Sequence, residues 1–362
     1  VSRLDSGKVS EALDHVEREL TALWAPEEGS PPKARVCMAN LVVLTSAASQ
    51  ARAAALVDAL PAADTARTFL VTVDPRLPLW ALDAGVSARC QRDGERLLCS
   101  ERIDLSLGAG AVGRAASVIS SLSMPEVPTA VVLLEPAPPM LVAALTREAS
   151  RLVVDSEALG IDAAAGLARA TAAHLVDLAW LRLYPWRNQI ASAFDDPRVR
   201  PAVSAVQRVS ITSTLLRGGT IAPASRLLLG WLASRLGWRV QSSLVATDAR
   251  HQPIALDLGA RLAPDCPEGR LLSFELSAVL GDAHMMVDLA REPHGTTLQS
   301  VCTSEGLGAR VENVTLPEIS LPALVDRALA DPLPDAPLRQ ALQVASAPVL
   351  SGPPQPPAQP SF

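Results

Sequence analysis

The segment Gly108-Ala-Gly-Ala-Val-Gly113 matches G-x-G-x-x-G, a spacing that can cradle a phosphate. In a dinucleotide site such glycines let the backbone approach a pyrophosphate at a helix N-terminus, and an acidic residue further on holds the ribose. Here the loop opens a helix from Arg114 to Leu122, and Glu135 ends the later strand Thr129–Leu134. The strand before the loop does not fit that chemistry. Ser100–Leu107 alternates polar and apolar residues, whereas the strand feeding a dinucleotide loop is buried and almost wholly apolar. With 20 glycines among many alanines a chance match is easy. The other reading of Gly108–Gly113 is a helix start whose small residues permit close packing, where an anion could still rest. No tight NAD or NADP binding is expected.

The remaining reactive side chains form no pattern that catalysis requires. His15, His174, His251, His284 and His294 make no HExxH-type pair with a fixed metal geometry. Asp282, His284, Asp288 and His294 are close in sequence, but strand alternation scatters them over two faces. Neither a G-x-S-x-G turn nor a G-x-x-x-x-G-K-[ST] loop occurs. The carboxylate pairs Glu27-Glu28 and Asp195-Asp196 fall in loop or cap contexts, where helix capping accounts for them. Five widely spaced cysteines, an odd number, suit a reducing cytoplasm better than a disulfide framework. No catalytic residue, cofactor or metal is assigned.

Residues suited to recognition gather mid-chain, between His174 and Ile190. Aromatics are 3% of the protein, yet this stretch holds Trp180, Trp186 and the single tyrosine, Tyr184. Asp177, Trp180, Leu181 and Tyr184 follow i, i+3, i+4, i+7 spacing, which predicts one shared helix face. Leu178 and Arg182 lie on the next row. Pro185 lacks an N–H and disfavours helix at Tyr184, so a stop or kink is expected there. The elbow so formed carries Asp177, Trp180, Arg182, Tyr184, Trp186 and Arg187. One reading buries its aromatics as core anchors. The other offers part of it, Arg182 and Arg187 above all, to a protein partner, because Trp, Tyr and Arg dominate interface hot spots. Both can hold at once.

The elements that would position these residues follow from periodicity. Ser10–Trp24 reads as an amphipathic helix. Arg35–Leu44 and Arg67–Asp74 read as buried strands around a helix at Ser49–Leu60. Pro139–Ser150 reads as helix and Arg151–Asp155 as strand. Apolar runs alternating with helices predict a mostly parallel, Rossmann-like sheet covered on both faces. Val86–Arg92 and Glu95–Leu105 form an expected hairpin about Asp93-Gly94. That turn sets Cys90 opposite Leu97, with Cys99 one diagonal away. A reversible disulfide is one reading of the pair, and two inert buried thiols are the other. Asp162–Leu183 reads as a continuous helix into the elbow, and Ala224–Leu236 as another, with Gly237 as its C-cap. The period then switches to two. Trp238–Ala246, Ile254–Leu262, Leu272–Ala278, Met285–Ala290, Thr297–Cys302 and Ala309–Leu316 predict an antiparallel meander with one polar face. Helices at Leu321–Ala330 and Ala336–Ala345 close the fold.

Asp177-Leu-Ala-Trp-Leu-Arg-x-x-x-Trp-Arg187 resembles the signature of the glucose-6-phosphate dehydrogenase assembly protein family, OpcA. Leu229-Gly-Trp-Leu-Ala-Ser-Arg235 resembles a second stretch of it, and the order of elements fits over most of residues 11–345. The resemblance implies a bacterial protein without chemistry of its own. It would bind glucose-6-phosphate dehydrogenase and promote its active oligomer, as an allosteric activator in the pentose phosphate pathway. Two features differ from the family pattern. Val132-Leu133 stands near the place of a tryptophan pair, and a His-Pro-Ser-Arg-like run is reduced to Ala66-Arg67.

Bulk properties set the limits. At 362 residues two domains are the prior. A hydrophobic share of 49%, a charged share of 19% and a net charge of −6 describe a globular protein without a basic nucleic-acid footprint. No uncharged apolar run is long enough to span a membrane, and the charged start lacks the apolar block of a secretion signal. The expected division is a helix and loop over 1–34, an α/β domain over 35–160, an α+β domain over 161–346 and a disordered Pro-rich tail over 347–362. The expected function is a cytoplasmic, non-catalytic partner of glucose-6-phosphate dehydrogenase. The alternative is an enzyme binding a nucleotide or sugar phosphate at Gly108–Gly113.

Overall fold

The structure is a computed structural model that describes residues 9–25, 33–292, 296–306, 308–331 and 336–350. The Pro-rich stretch from 351 onward, Glu27-Glu28 and His294 lie outside the described residues. The chain divides into two compact units. One comprises Val1–Leu159, Arg169–Leu178 and Ser320–Pro334, and the other Gly160–Ala168, Ala179–Ile319 and Asp335–Phe362.

The first unit opens with α1 (Val9–Leu23), β1 (Lys33–Arg35), β2 (Ala39–Ser46), α2 (Gln50–Asp58) and β3 (Ala66–Val73). The hairpin arms β4 (Leu82–Asp93) and β5 (Arg96–Leu107) follow, then α3 (Val112–Leu122), β6 (Thr129–Leu133), α4 (Pro139–Glu148), β7 (Arg151–Val154) and α5 (Ser156–Leu159). Helix α6 (Ile161–Ala170), most of which belongs to the other unit, precedes the last strand, β8 (His174–Asp177). The sheet runs β1-β5-β3-β2-β6-β7-β8, with β4 also paired to β5. Every pairing from β5 through to β8 is parallel. Counting only those six strands in chain order gives 3-2-1-4-5-6, the order of doubly wound dinucleotide folds. The reason is visible in β2 and β3, whose residues are buried almost throughout because helices cover both faces.

A buried charge ties α1 to this sheet. Glu101 on β5 is 3% exposed. Its Oε2 accepts from Arg67 Nε at 2.7 Å and Arg35 Nη2 at 2.8 Å, and its Oε1 accepts from Trp24 Nε1 at 2.7 Å. Burial pushes this carboxyl up, while the Trp24 hydrogen bond and the Arg35 charge pull it back.

Two expectations are corrected here. The helix expected over Asp162–Leu183 is broken, because His174–Asp177 forms an edge strand paired with Arg151–Val154. Asp177 therefore ends a strand and does not share a helix face with Trp180 and Tyr184. The hairpin is present, but its two-residue loop is Gly94-Glu95, with Asp93 opposite Arg96. Gly94 has φ 60, which an L side chain rarely adopts. That one-residue shift sets Cys90 opposite Cys99, not Leu97.

The second unit contains α7 (Leu178–Arg182), α8 (Tyr184–Ser192), β9 (Val206–Thr214), α9 (Pro223–Leu236), β10 (Arg239–Val240), β11 (Val245–Thr247) and β12 (Pro253–Arg261). The meander β13 (Leu271–Leu280), β14 (Ala283–Arg291), β15 (Thr297–Ser304) and β16 (Gly308–Thr315) completes its sheet, in the order β10-β11-β12-β9-β13-β14-β15-β16. All its pairings are antiparallel except β12 with β9, so the sheet is mixed. Strand β9 went unread in the sequence, and the strand expected over Trp238–Ala246 is two short ones.

Helix α10 (Leu321–Ala330) belongs to the first unit. Asp326 Oδ1 accepts from Ala62 N at 3.1 Å, and Arg151 Nη1 donates to Ala328 O at 2.8 Å. Helix α11 (Ala336–Ala345) packs on α9 in the second. Ala224–Gly230, Leu232 and Ala233 of α9 are all buried, because β9 lies on one side and α11 on the other. A Cβ on Gly230 would collide with the Ala341 carbonyl, so the two helices require glycine there. Gly237 caps α9 in the left-handed conformation, as expected. Pro348–Leu350 form a 3₁₀ turn that buries Leu350, so ordered chain extends into the stretch expected to be a tail.

Candidate functional site

The elbow forms one residue before the position expected from the sequence, and Tyr184 is itself helical. α7 ends at Arg182 and α8 begins at Tyr184, so the break falls at Leu183. Pro185 sits in the first turn of α8, where its missing N–H is not needed. Trp180 and Trp186 are 1% and 2% exposed and serve as core anchors. The Arg187 guanidinium lies 3.5 Å from the Trp180 ring centroid, and its Nη2 donates to Trp180 O at 3.2 Å. Arg187 thus locks α8 back onto α7. Asp177 is fully buried in the first unit, where its Oδ1 accepts from Ser156 N at 3.0 Å. Tyr184 is 51% exposed, and Arg182 is half-buried. Of the six residues, Tyr184, Arg182 and part of Arg187 reach solvent, and Asp177, Trp180 and Trp186 are buried.

The glycine loop is covered by its own chain. Gly108 N donates to Ala81 O at 2.9 Å and Gly110 N to Leu79 O at 2.6 Å. A Cβ on Gly108 would collide with the Pro78 carbonyl. One on Gly110 would lie 2.8 Å from both the Leu79 carbonyl oxygen and the Trp80 ring. Arg114, in the first turn of α3, stacks on Trp80 with its guanidinium 5.1 Å from the ring centroid. The N–H groups a phosphate would need from Gly108 and Gly110 are spent on the carbonyls of Ala81 and Leu79 in the strap 78–81. This geometry favours the packing reading of the loop.

Cys90 and Cys99 form a disulfide across the hairpin, with Cα atoms 4.0 Å apart. Of the two readings of the pair, the structure has the disulfide and not the two inert thiols. Cys37, Cys266 and Cys302 are free and half-buried, and burial pushes the Cys37 and Cys302 thiols up. Asp196 Oδ1 accepts from Arg198 N at 2.9 Å and its Oδ2 from Arg198 Nη2 at 2.6 Å. Those bonds pull its carboxyl down to about 2 and make it the cap of a turn, where helix capping was expected of the Asp195-Asp196 pair. Among the described residues no three His, Cys, Asp or Glu side chains converge as metal ligands, and no helix is long and apolar enough to cross a membrane. A cleft of about 420 Å³ lies beside β4 and β5. Its arginines are paired already, Arg89 with Asp64 at 3.0 Å and Arg102 with Asp58 at 2.9 Å.

One cluster escaped sequence reasoning. Asp257, Ser210, Glu275, Asp288, Val301 and Val311 stand in one register row across β12, β9, β13, β14, β15 and β16. The adjacent row, Leu256, Val209, Leu276 and Val287, is buried. The first row therefore lies on the open face of the sheet. Burial and then Asp288 push the Glu275 carboxyl up, with Asp257 adding to the effect and Arg208 opposing it. Burial pushes Asp288 up as well. Strand alternation predicts a polar face, but only the register brings three carboxylates from three strands into line.

Comparison with known proteins gives the family. Residues 57–171 match the family model for the glucose-6-phosphate dehydrogenase subunit N-terminal domain, and residues 173–342 match that for its C-terminal domain. A protein of Synechocystis sp., named as a candidate OxPP cycle protein OpcA, is 32% identical over 167 residues, which are 43% of this chain and 34% of that one. A protein of Nostoc punctiforme with the same name is 46% identical over 66 residues, 18% of this chain and 13% of that one. The matched stretch thus spans about a third or less of these relatives' length. Among solved structures, a 3-ketoreductase from Actinomadura kijaniata in complex with NADP aligns with a TM-score of 0.44 and 12% identity, over 86% of this chain and 95% of that one. A levoglucosan dehydrogenase in complex with NADH and levoglucosan aligns with a TM-score of 0.43 and 10% identity, over 86% and 94%. At such values neither neighbour bears on cofactor or substrate. The two adjoining family matches cover most of the chain, and the protein belongs to the OpcA family of glucose-6-phosphate dehydrogenase subunits.

Proposed function

We propose that the protein is a non-catalytic subunit that binds glucose-6-phosphate dehydrogenase in the cytoplasm and favours its active oligomer, within the pentose phosphate pathway. The observation that carries this reading is the pair of adjoining matches, both to domains described as subunits of that dehydrogenase. The covered glycine loop supports a role without nucleotide chemistry. A factor of this kind acts by mass action, favouring the oligomer it binds best. On this reading Tyr184, Arg182 and the outer part of Arg187 touch the partner, while the buried Trp180 holds Arg187 in place. The open face of the second sheet is a further surface such a partner could cover.

The test is co-elution with the dehydrogenase of the same cell and assay of its rate. Wild-type protein is expected to co-elute and to raise the rate or the oligomer fraction at micromolar concentration. Tyr184→Ala and Arg182→Ala should leave the melt nearly unchanged. At least one should weaken binding by roughly tenfold, the scale of one hot-spot contact. Absence of both co-elution and rate change with wild type overturns the function. Equal binding by both variants moves the interface away from the elbow.

A further inference from the structure

In a doubly wound sheet the ligand lies outside the carboxyl ends of the strands where their order reverses. Here that point falls between β2 and β6, which are parallel neighbours. In a dinucleotide site the turn after the first strand is rich in glycine, so that a diphosphate can reach the N-terminus of the next helix. In this chain the turn is Ser46-Ala-Ala-Ser49, without glycine, and leads into α2 with Ser49 as N-cap.

The space at that turn is taken. Glu135 lies two residues beyond the end of β6. Its Oε1 accepts from Ser46 N at 2.6 Å and from Thr45 Oγ1 at 2.7 Å, and its Oε2 accepts from Ser46 Oγ at 3.3 Å. The nearby Ser49 hydroxyl also favours the charged form of this carboxylate. Burial alone would raise this carboxyl, but the four donors outweigh it and hold the group below its ordinary value. The position that holds the ribose in a dinucleotide site, at the end of the second strand, is occupied by Asp74. Its carboxylate is engaged by Arg76, through Nε and Nη2 at 2.9 Å each and the backbone N–H at 2.9 Å.

We infer that Glu135 is an internal anion that fills the diphosphate position of this fold and closes the crevice to phosphorylated ligands. The donors of an anion site survive around it: the Ser46 N–H and the hydroxyls of Thr45, Ser46 and Ser49. They are satisfied by a carboxylate from the same chain, covalently present at high effective concentration. Removing that carboxylate while leaving its space should therefore create a binding site for a small external anion. The inference does not depend on the dehydrogenase and stands or falls separately from the assembly role.

The experiment uses the full chain, with inorganic phosphate, acetate and ADP as probes, in calorimetry and thermal melts. Wild type is expected to show no saturable binding of any probe up to about 10 mM, a concentration tenfold above a millimolar Kd. Glu135→Ala should melt lower than wild type. It should bind phosphate saturably, at least about tenfold tighter than any residual wild-type binding, and phosphate or acetate should restore part of its lost melting temperature. Glu135→Gln keeps the volume but not the charge, and should melt lower than wild type without gaining phosphate binding. If Glu135→Ala refolds only in part, the same titration is read as recovery of folded signal. Saturable ADP binding by wild type overturns the inference. So does a Glu135→Ala chain that neither binds nor is restored by phosphate or acetate.

Discussion

Both units are built on eight-stranded sheets, and they treat carboxylates in opposite ways. In the first sheet the inward carboxylates are held: Glu101 by Arg67, Arg35 and Trp24, Glu135 by a ring of hydroxyls and an N–H. In the second, Asp257, Glu275 and Asp288 stand in line on an open face, with Arg208 reaching Asp257 only at 3.5 Å. The first arrangement lets a doubly covered sheet carry charge in its interior. The second sets carboxylates side by side, where Asp288 and Asp257 oppose the charge of Glu275 and Arg208 offsets it in part. Polar groups in the first unit serve the fold, and the row in the second is where covering by another molecule would change most.

The largest expected effect tests the first half of that contrast. Glu101→Ala leaves the Arg67 side chain, 8% exposed, without its buried partner. The loss should be about 3–5 kcal/mol in denaturant melts, the cost of an uncompensated buried charge. A loss under 1 kcal/mol would mean that water reaches Arg67. Next comes Gly110→Val, which must displace the Leu79 carbonyl and the Trp80 ring. It should destabilise by about 1–3 kcal/mol, as overpacking does, and leave nucleotide binding at the wild-type level. A specific loss of nucleotide affinity would instead restore the phosphate reading of the loop.

In the second sheet, neutralising one of the row should help. Asp288→Asn is expected to stabilise the chain by about 0.5 kcal/mol at neutral pH, a value reduced for solvent screening. The two sheets should also differ in sign with pH. Glu135 is depressed in the fold, so its contribution is present above its unfolded pKa and is lost as pH falls through the folded one. Glu275 and Asp288 are raised, so theirs is present below the unfolded pKa and is lost as pH rises through the folded one. Melts of Glu135→Gln and Asp288→Asn should therefore approach wild type at low pH and diverge from it towards neutral pH in opposite directions, the first below wild type and the second above it. Parallel curves would break the contrast. A small effect is also expected at the Cys90–Cys99 disulfide. Reduction should raise the native thiol count from three to five and cost about 1 kcal/mol or less, because the hairpin ladder already closes the same loop.

How much was legible depended on whether a local pattern agreed with its tertiary setting. The parallel strands were plain because full burial gives uninterrupted apolar runs such as Leu41–Leu44. Strand β9 was not, since Gln207 is an extra residue in its pairing with β13, between Val206 opposite Ala278 and Arg208 opposite Ser277. That bulge breaks the alternation a reader would count. At Asp177 a helical spacing was real but misleading, because pairing with β7 overrode it. The hairpin was legible and its register was not, as Gly94 can begin or end a two-residue turn. Glu135 was visible as a strand end. The missing signal was the glycine-free turn Ser46-Ala-Ala-Ser49, which lies far away in sequence and matters only once the strand order places it alongside.

The path of the chain between its two units has a consequence for synthesis. Helix α10, whose Leu324, Val325 and Ala328 are buried and whose Asp326 bonds Ala62, follows the entire second sheet in sequence. On the ribosome, where domains form as they emerge, the first unit must wait for residue 330 before its last helix can dock. A truncation after residue 160, or after the meander, would release a nascent unit with that side uncovered, exposed to chaperones and proteases for the time the second sheet takes to be made.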